Sequence, residues 1–297
     1  MNIIKSEIFT NTQKNSSFQD LTANIVAEFQ QIQAVEAIGL GGSLAAGARD
    51  HLSDIDLYIL SDQIIPLERR YNIIQKFNPS RSNLNLSFWD PGDEWIDGMS
   101  GIEVDMIYWR KSWIEDQINK ILTLYRANIG YSTSFWFTMK NMKVLFDRNG
   151  WLKNLQDKCH RPYPAELKKA IIAKNHPLLR DVIPSYYAQI KKAMERNDQI
   201  SVNHRITAFL MSYFDVLFAL NELPNPGEKR VLDYALENCN KLPTGFKENI
   251  ESILRLNCVD VINFFDSIDK LIDGIDHLIN LEGIDPAKTL ALKKNHE

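Results

Sequence analysis

The sequence is poor in the features that would hold a nucleic acid, a thiolate-bound metal or a membrane. Its 34 Lys and Arg are outnumbered by 38 Asp and Glu, for a net charge of -4. That balance argues against the broad basic face needed to displace counterions from DNA or RNA. Cysteine is scarce and odd in number: Cys159, Cys239 and Cys258 share none of the short spacings of a zinc site or a disulfide framework. They read as buried or incidental thiols in a reducing compartment. The six histidines form no ligand cluster, so zinc is not supported. No apolar run approaches the length of a membrane span. The amino terminus, MNIIKSEIFTNTQKNSS, lacks the sustained apolar core of a signal peptide, which makes the cytoplasm the expected location. There is no internal repeat and no low-complexity tract.

What is present is apolar content for real cores, 44% over 297 residues, enough for two domains. The organising stretch is Gly41 to Leu60, GGSLAAGARDHLSDIDLYIL. Val35 to Leu40 reads as a strand. It ends in a Gly41-Gly42-Ser43 turn whose amides could face a phosphate, and a short helix is expected from about Leu44. Ser43 would then sit at a helix amino end, either holding an anion or capping the helix. Arg49 and His51 read as turn residues able to touch phosphate. Asp54 and Asp56 open a second strand whose Ile55, Leu57 and Ile59 alternate with period two. Side chains two apart on a strand share a face, so both carboxylates project together. Hard oxygen ligands beside a phosphate-holding turn suit a divalent ion that carries a nucleotide.

Phe18, Leu21, Ile25, Val26 and Phe29 have helical spacing, with Ser16 or Ser17 as a cap. Pro66 introduces a second helix through Phe77. Strands are expected at Leu84 to Trp89, Ile102 to Trp109 and Lys143 to Asp147. The segment WDPGDEWIDG, with Asp90, Asp93, Glu94 and Asp97, reads as an acidic loop between the first two. Glu103 and Asp105 put another carboxylate pair on one strand face. Helices are expected at Ser112 to Arg126 and Ser132 to Lys140. The run CHRPYP, Cys159 to Pro164, breaks the pattern and marks a domain boundary. The expected domains are residues 1–158 and 159–297. The second contains only helices, broken at Pro177, Asn197, PNPGE and Pro243, as in a bundle. The fold class is therefore α/β (α+β) with a mixed sheet, followed by an all-α bundle. All six tryptophans lie between residues 89 and 151 and read chiefly as packing residues.

Gly42-Ser43 followed by Asp54-x-Asp56 and a later strand carboxylate, Asp105, resembles the nucleotidyltransferase superfamily related to DNA polymerase β. The likeness covers roughly the first 150 residues. The helical half is more loosely similar to that of the antibiotic nucleotidyltransferases acting on aminoglycosides or lincosamides. This resemblance implies a Mg²⁺-dependent transfer of a nucleoside monophosphate, AMP from ATP in the first instance, to a hydroxyl of a small molecule, with release of pyrophosphate. It implies that Asp54, Asp56 and Asp105 hold metal, and that Gly42, Ser43, Ser53 and Lys229 bind the nucleotide. Asp105 or Glu103 would take the acceptor's proton. The expected partners are a nucleotide and a small acceptor, with no membrane and no nucleic acid, in a monomer or homodimer whose site lies between the two domains. Protein AMPylation, RNA end addition and a non-catalytic nucleotide-binding regulator are the alternatives.

Overall fold

The computed structural model describes residues 18–42, 54–256 and 260–285. The chain forms two compact units, Met1–Gln117 with Thr138–His160, and Ile118–Phe137 with Arg161–Glu297.

In the first unit, helix α1 (residues 18–29) buries Phe18, Leu21, Ile25 and Phe29, the stripe that its spacing announced. Strands β1 (Val35–Leu40) and β2 (Ile55–Ser61) follow, then α2 (Leu67–Gln75), β3 (Arg81–Leu86), β4 (Gly92–Ile96) and β5 (Glu103–Arg110). Helices α3 (Lys111–Leu122) and α4 (Ser134–Asn141) precede β6 (Lys143–Asp147) and α5 (Trp151–Cys159), and the unit boundaries fall within α3 and α4. The six strands form one sheet in the order β3-β4-β5-β2-β1-β6. Only β2 and β5 pair in parallel; the other neighbours are antiparallel. β1 and β2, both interior strands, are buried almost throughout, as their largely apolar sequences require. One face of the sheet carries Ile55, Leu57, Ile59, Val104, Met106 and Trp95 into a core closed by α1 and α2.

Two expectations change here. The acidic loop is in fact strand β4, paired to both β3 and β5. Its alternation was hidden because Asp93 lies on the core face, wholly buried. Three groups meet that charge: Arg70 Nη1 of α2 donates at 2.7 Å, the Tyr108 hydroxyl at 2.7 Å and the Asn85 amide at 2.8 Å. Removing one partner of such a buried pair costs about 3–5 kcal/mol, because the other charge is stranded. Strand β3 ends at Leu86 rather than Trp89, since the chain from Ser87 to Pro91 makes the return to β4. Pro91 has no amide hydrogen to give a ladder, and its carbonyl accepts from the Tyr108 amide. Phe88 and Trp89 are left 82% and 93% exposed. Helix α5 was not foreseen either.

The second unit is helical: α6 (Ala165–Leu179), α7 (Tyr186–Glu195), α8 (Gln199–Leu220), α9 (Val231–Asn238), α10 (Phe246–Leu256) and α11 (Val261–Leu281). The break expected at Pro177 comes two residues later, because a proline this close to a helix end costs few backbone bonds. Asp198 caps α8 and Asp260 caps α11, each carboxylate accepting an amide three residues on. The centre of the unit is α8, whose Phe209, Tyr213, Leu217 and Leu220 are buried, with α6, α7 and α11 packed around it. Among the described residues no helix is long and apolar enough to cross a membrane.

Candidate active site

Asp54, Asp56 and Asp105 converge on the face of the sheet opposite the α1–α2 core. Each offers one carboxylate oxygen to a group in which all three atoms lie within 4.8 Å of one another. The strand register explains why. Parallel pairing of β2 with β5 sets Asp56 directly beside Asp105. Asp54 precedes Asp56 by two residues, hence on the same face. Antiparallel pairing of β5 with β4 sets Glu94 on the other side of Asp105. A row Asp56, Asp105, Glu94 thus crosses three adjacent strands at the ladder spacing of about 4.8 Å. Glu103, also on this face, is exposed.

Like charges directly opposite each other on a sheet are unfavourable. The Asp105 carboxyl responds: burial, then Asp56, Glu94, Asp54 and Glu103, push it up from the usual carboxylate range to about 7. No hydrogen-bond donor or basic group compensates Asp105 among the described residues. The charges that act on Asp105 are all negative, and three carboxylate oxygens this close together are donors of the hard kind that a divalent cation takes.

The glycine pair before β2 has a visible steric role. Gly42 has φ +64°, in the left-handed region, and a Cβ there would stand 1.8 Å from Asp56 Oδ2. A Cβ on Gly41 would stand 2.4 Å from the Tyr58 ring. The Gly41 amide donates to the Asp56 carbonyl at 2.9 Å, which keeps this backbone close to the acidic strand. Only glycine leaves the Asp56 carboxylate its place. Farther along the same face, Tyr58 packs on Trp109 with ring centroids 4.6 Å apart, and Trp109 on Trp113 at 5.3 Å. Burial first, then Asp56, Asp90 and Asp105, raise the Tyr58 hydroxyl far above its ordinary value, so it stays neutral beside the carboxylates.

The remaining expected residues stand differently. Ser43, Ser53, Arg49, His51 and the short helix from Leu44 lie outside the described residues, as do the cap at Ser16 or Ser17 and Cys258. Lys229 is exposed and lies two residues before α9. Among the described residues it makes no ion pair. Glu94 is the residue that sequence reasoning passed over. Its signal was the period-two pattern of Trp95 inward and Glu94 outward, masked by the inward Asp93.

Residues 132–229 match the family model described as a domain of unknown function, DUF4037. No curated protein matches the chain. Among solved structures, the chain is similar to a nucleotidyltransferase-like protein from Exiguobacterium sibiricum 255-15. The identity is 12% and the TM-score 0.46, over 94% of this chain and 80% of that one. It is also similar to the STING-associated CdnE c-di-GMP synthase from Capnocytophaga granulosa, at 12% identity and a TM-score of 0.27, over 92% of this chain and 81% of that one.

Proposed function

We propose that the chain is a divalent-metal-dependent nucleotidyltransferase that moves a nucleoside monophosphate, AMP from ATP in the first instance, onto a hydroxyl of a small molecule. The observation that carries this reading is the convergence of Asp54, Asp56 and Asp105 from two parallel neighbouring strands, with their oxygens within 4.8 Å. Hard oxygen donors, crowded to the point of raising a carboxyl to about 7, fit Mg²⁺. When bound, Mg²⁺ supplies the neutralisation of charge on the triphosphate that phosphoryl transfer requires.

The chain's own residues do the rest. Asp54 and Asp56 fix where the nucleotide's phosphates rest, and the side-chain-free backbone at Gly41 and Gly42 leaves that approach open. The acceptor's hydroxyl oxygen forms a bond to the α-phosphorus as the bond to the bridging oxygen of the β-phosphate breaks, and pyrophosphate leaves. The hydroxyl proton passes to a carboxylate, Asp105 in the first instance and Glu103 in the second. Tyr58, Trp109 and Trp113 form an aromatic wall along the same face that keeps water from one side of the reacting groups. The net charge of -4 favours a small acceptor over RNA.

The test incubates the purified chain with Mg²⁺, each nucleoside triphosphate and a panel of hydroxyl-bearing antibiotics and metabolites. Mass gain of an acceptor and pyrophosphate release are followed together. The expected result is stoichiometric transfer with at least one acceptor, lost in Asp54→Ala and Asp56→Ala. Undiminished transfer in either variant would overturn the proposal. Labelled ATP added with a cell lysate separates small acceptors from protein or RNA. Binding without any pyrophosphate release would instead mark a regulator.

A further inference from the structure

The acidic face also holds a hydrogen-bond donor that the chemistry above does not use. Every charged side chain that β2, β4 and β5 put on that face is an acid: Asp56, Glu94, Glu103 and Asp105. The one hydroxyl among them belongs to Tyr58, two residues beyond Asp56 on the same side of β2. Its neighbour across the ladder is Ile107, whose side chain has no polar atom. Among the described residues the Tyr58 hydroxyl makes no hydrogen bond, although the side chain is half-buried. A phenol that serves only to pack could equally be a phenylalanine.

The ring is held in place from two sides. Trp109 packs on it with centroids 4.6 Å apart and is itself 4% exposed. Against another edge lies Gly41, where a Cβ would come 2.4 Å from Cε2 of the ring and 3.4 Å from Cζ, the carbon that bears the hydroxyl. The hydroxyl end of the ring is thus the end beside the glycine turn. Gly42, the next residue of that turn, stands as close to Asp56, whose Oδ2 would lie 1.8 Å from a Cβ there. One short piece of backbone therefore lies against both the phenol and a carboxylate of the acidic group. A donor fixed in this way loses little freedom when a ligand arrives.

An anion can approach these carboxylates only on a cation, and its oxygens then meet acids along the strands everywhere but at Tyr58. A lysine in that place would pair with Asp56 and compete with the metal, whereas a phenol donates without adding a charge. We infer that Tyr58 contacts the nucleotide directly: its hydroxyl donates a hydrogen bond to a phosphate oxygen, beside the carboxylate of Asp56. This rests on the metal-dependent nucleotide reading given above.

The experiment measures, by calorimetry on the full chain, binding of Mg²⁺-ATP and of inorganic triphosphate with Mg²⁺, for wild type, Tyr58→Phe and Asp54→Ala. Tyr58→Phe keeps the ring and its contact with Trp109, so Tm without ligand and the rise in Tm with Mg²⁺ alone should match wild type. Binding of both phosphate ligands should be roughly tenfold weaker. A Tyr58→Phe chain that binds both like wild type would overturn the inference. So would a loss with ATP that inorganic triphosphate does not reproduce, since the hydroxyl would then meet the sugar or the base. A Tyr58→Phe chain that also loses the effect of Mg²⁺ alone would make Tyr58 a support of the metal group and overturn the phosphate contact. Failure of the wild type to bind Mg²⁺-ATP, or undiminished binding by Asp54→Ala, would instead bring down the nucleotide reading itself.

Discussion

Asp105, half-buried, and Asp215, buried, lie in different units, and burial pushes both carboxyls up, to about 7 and about 6. Their surroundings are opposite. Asp215 is surrounded by donors from Ser132, Asn225 and Asn175, and those from Ser132 and Asn225 pull its carboxyl back down, so the fold itself satisfies the charge. Asp105 is surrounded by Asp56, Glu94, Asp54 and Glu103, each of which pushes it further up. One carboxyl is met by donors of the fold, and the other is crowded by like charges. A carboxylate that neighbouring donors satisfy reads as structural, whereas one that like charges crowd is the place where the proposed function puts a cation.

The sharpest way to break this contrast is at the acidic row. Asp54→Ala or Asp56→Ala is expected to lower Mg²⁺-dependent pyrophosphate release by at least about a thousandfold, near 4 kcal/mol in the barrier, with circular dichroism unchanged. Next comes stability without metal. Asp215→Ala should lower the unfolding free energy by about 3 kcal/mol, since it strands several buried donors. Asp105→Asn should raise it, by relieving repulsion. Urea titration of the two variants should move in opposite directions, and a shift in the same direction would erase the distinction.

The third test uses pH. Because the folded-state carboxyl of Asp105 is raised, its contribution to stability is fully present below about pH 4 and is lost as pH rises through about 7. Mg²⁺ binding should restore that loss, so the metal-induced rise in Tm should be larger at pH 8 than at pH 5. At a hundredfold excess over Kd the stabilisation is about 2.7 kcal/mol. Equal shifts at the two pH values would mean that the ion binds elsewhere. The smallest effect is expected from Glu94→Gln, which removes one of four like charges. Carbon-detected titration should show the Asp105 carboxyl moving down by about one pKa unit or less.

Much of this was legible in the sequence, and the reasons differ by element. β1 and β6 span the residues expected of them, because a largely apolar run stopped by the Gly41-Gly42 turn and a short apolar run ending in Asp147 mark their ends. Asp54 and Asp56 could be put on one face from their spacing alone. Their pairing with Asp105 could not, since register between strands far apart in sequence is a tertiary property. β4 was obscured by a single inward charge: Asp93 broke the alternation, and its partner Arg70 sits on a helix more than twenty residues earlier. Helix α5 was lost because WLKNLQDKC lies between Gly150 and the CHRPYP break, and its nine residues offer only Leu152, Leu155 and Cys159 as an apolar face. The Asp215 network left no local trace at all. Its members, Ser132, Asn175 and Asn225, are ordinary polar residues until the bundle closes around them.

The parallel pairing of β2 with β5 also has a kinetic meaning. The strands come from distant parts of the chain, with α2 and the β3–β4 hairpin between them, so closing this seam is a late and slow event in assembly. When it closes, Asp56 and Asp105 must be driven side by side against their mutual repulsion. Under the proposed metal-binding function, a divalent cation should ease that repulsion, so refolding should run faster with Mg²⁺ than without it, and equal refolding rates would count against the link.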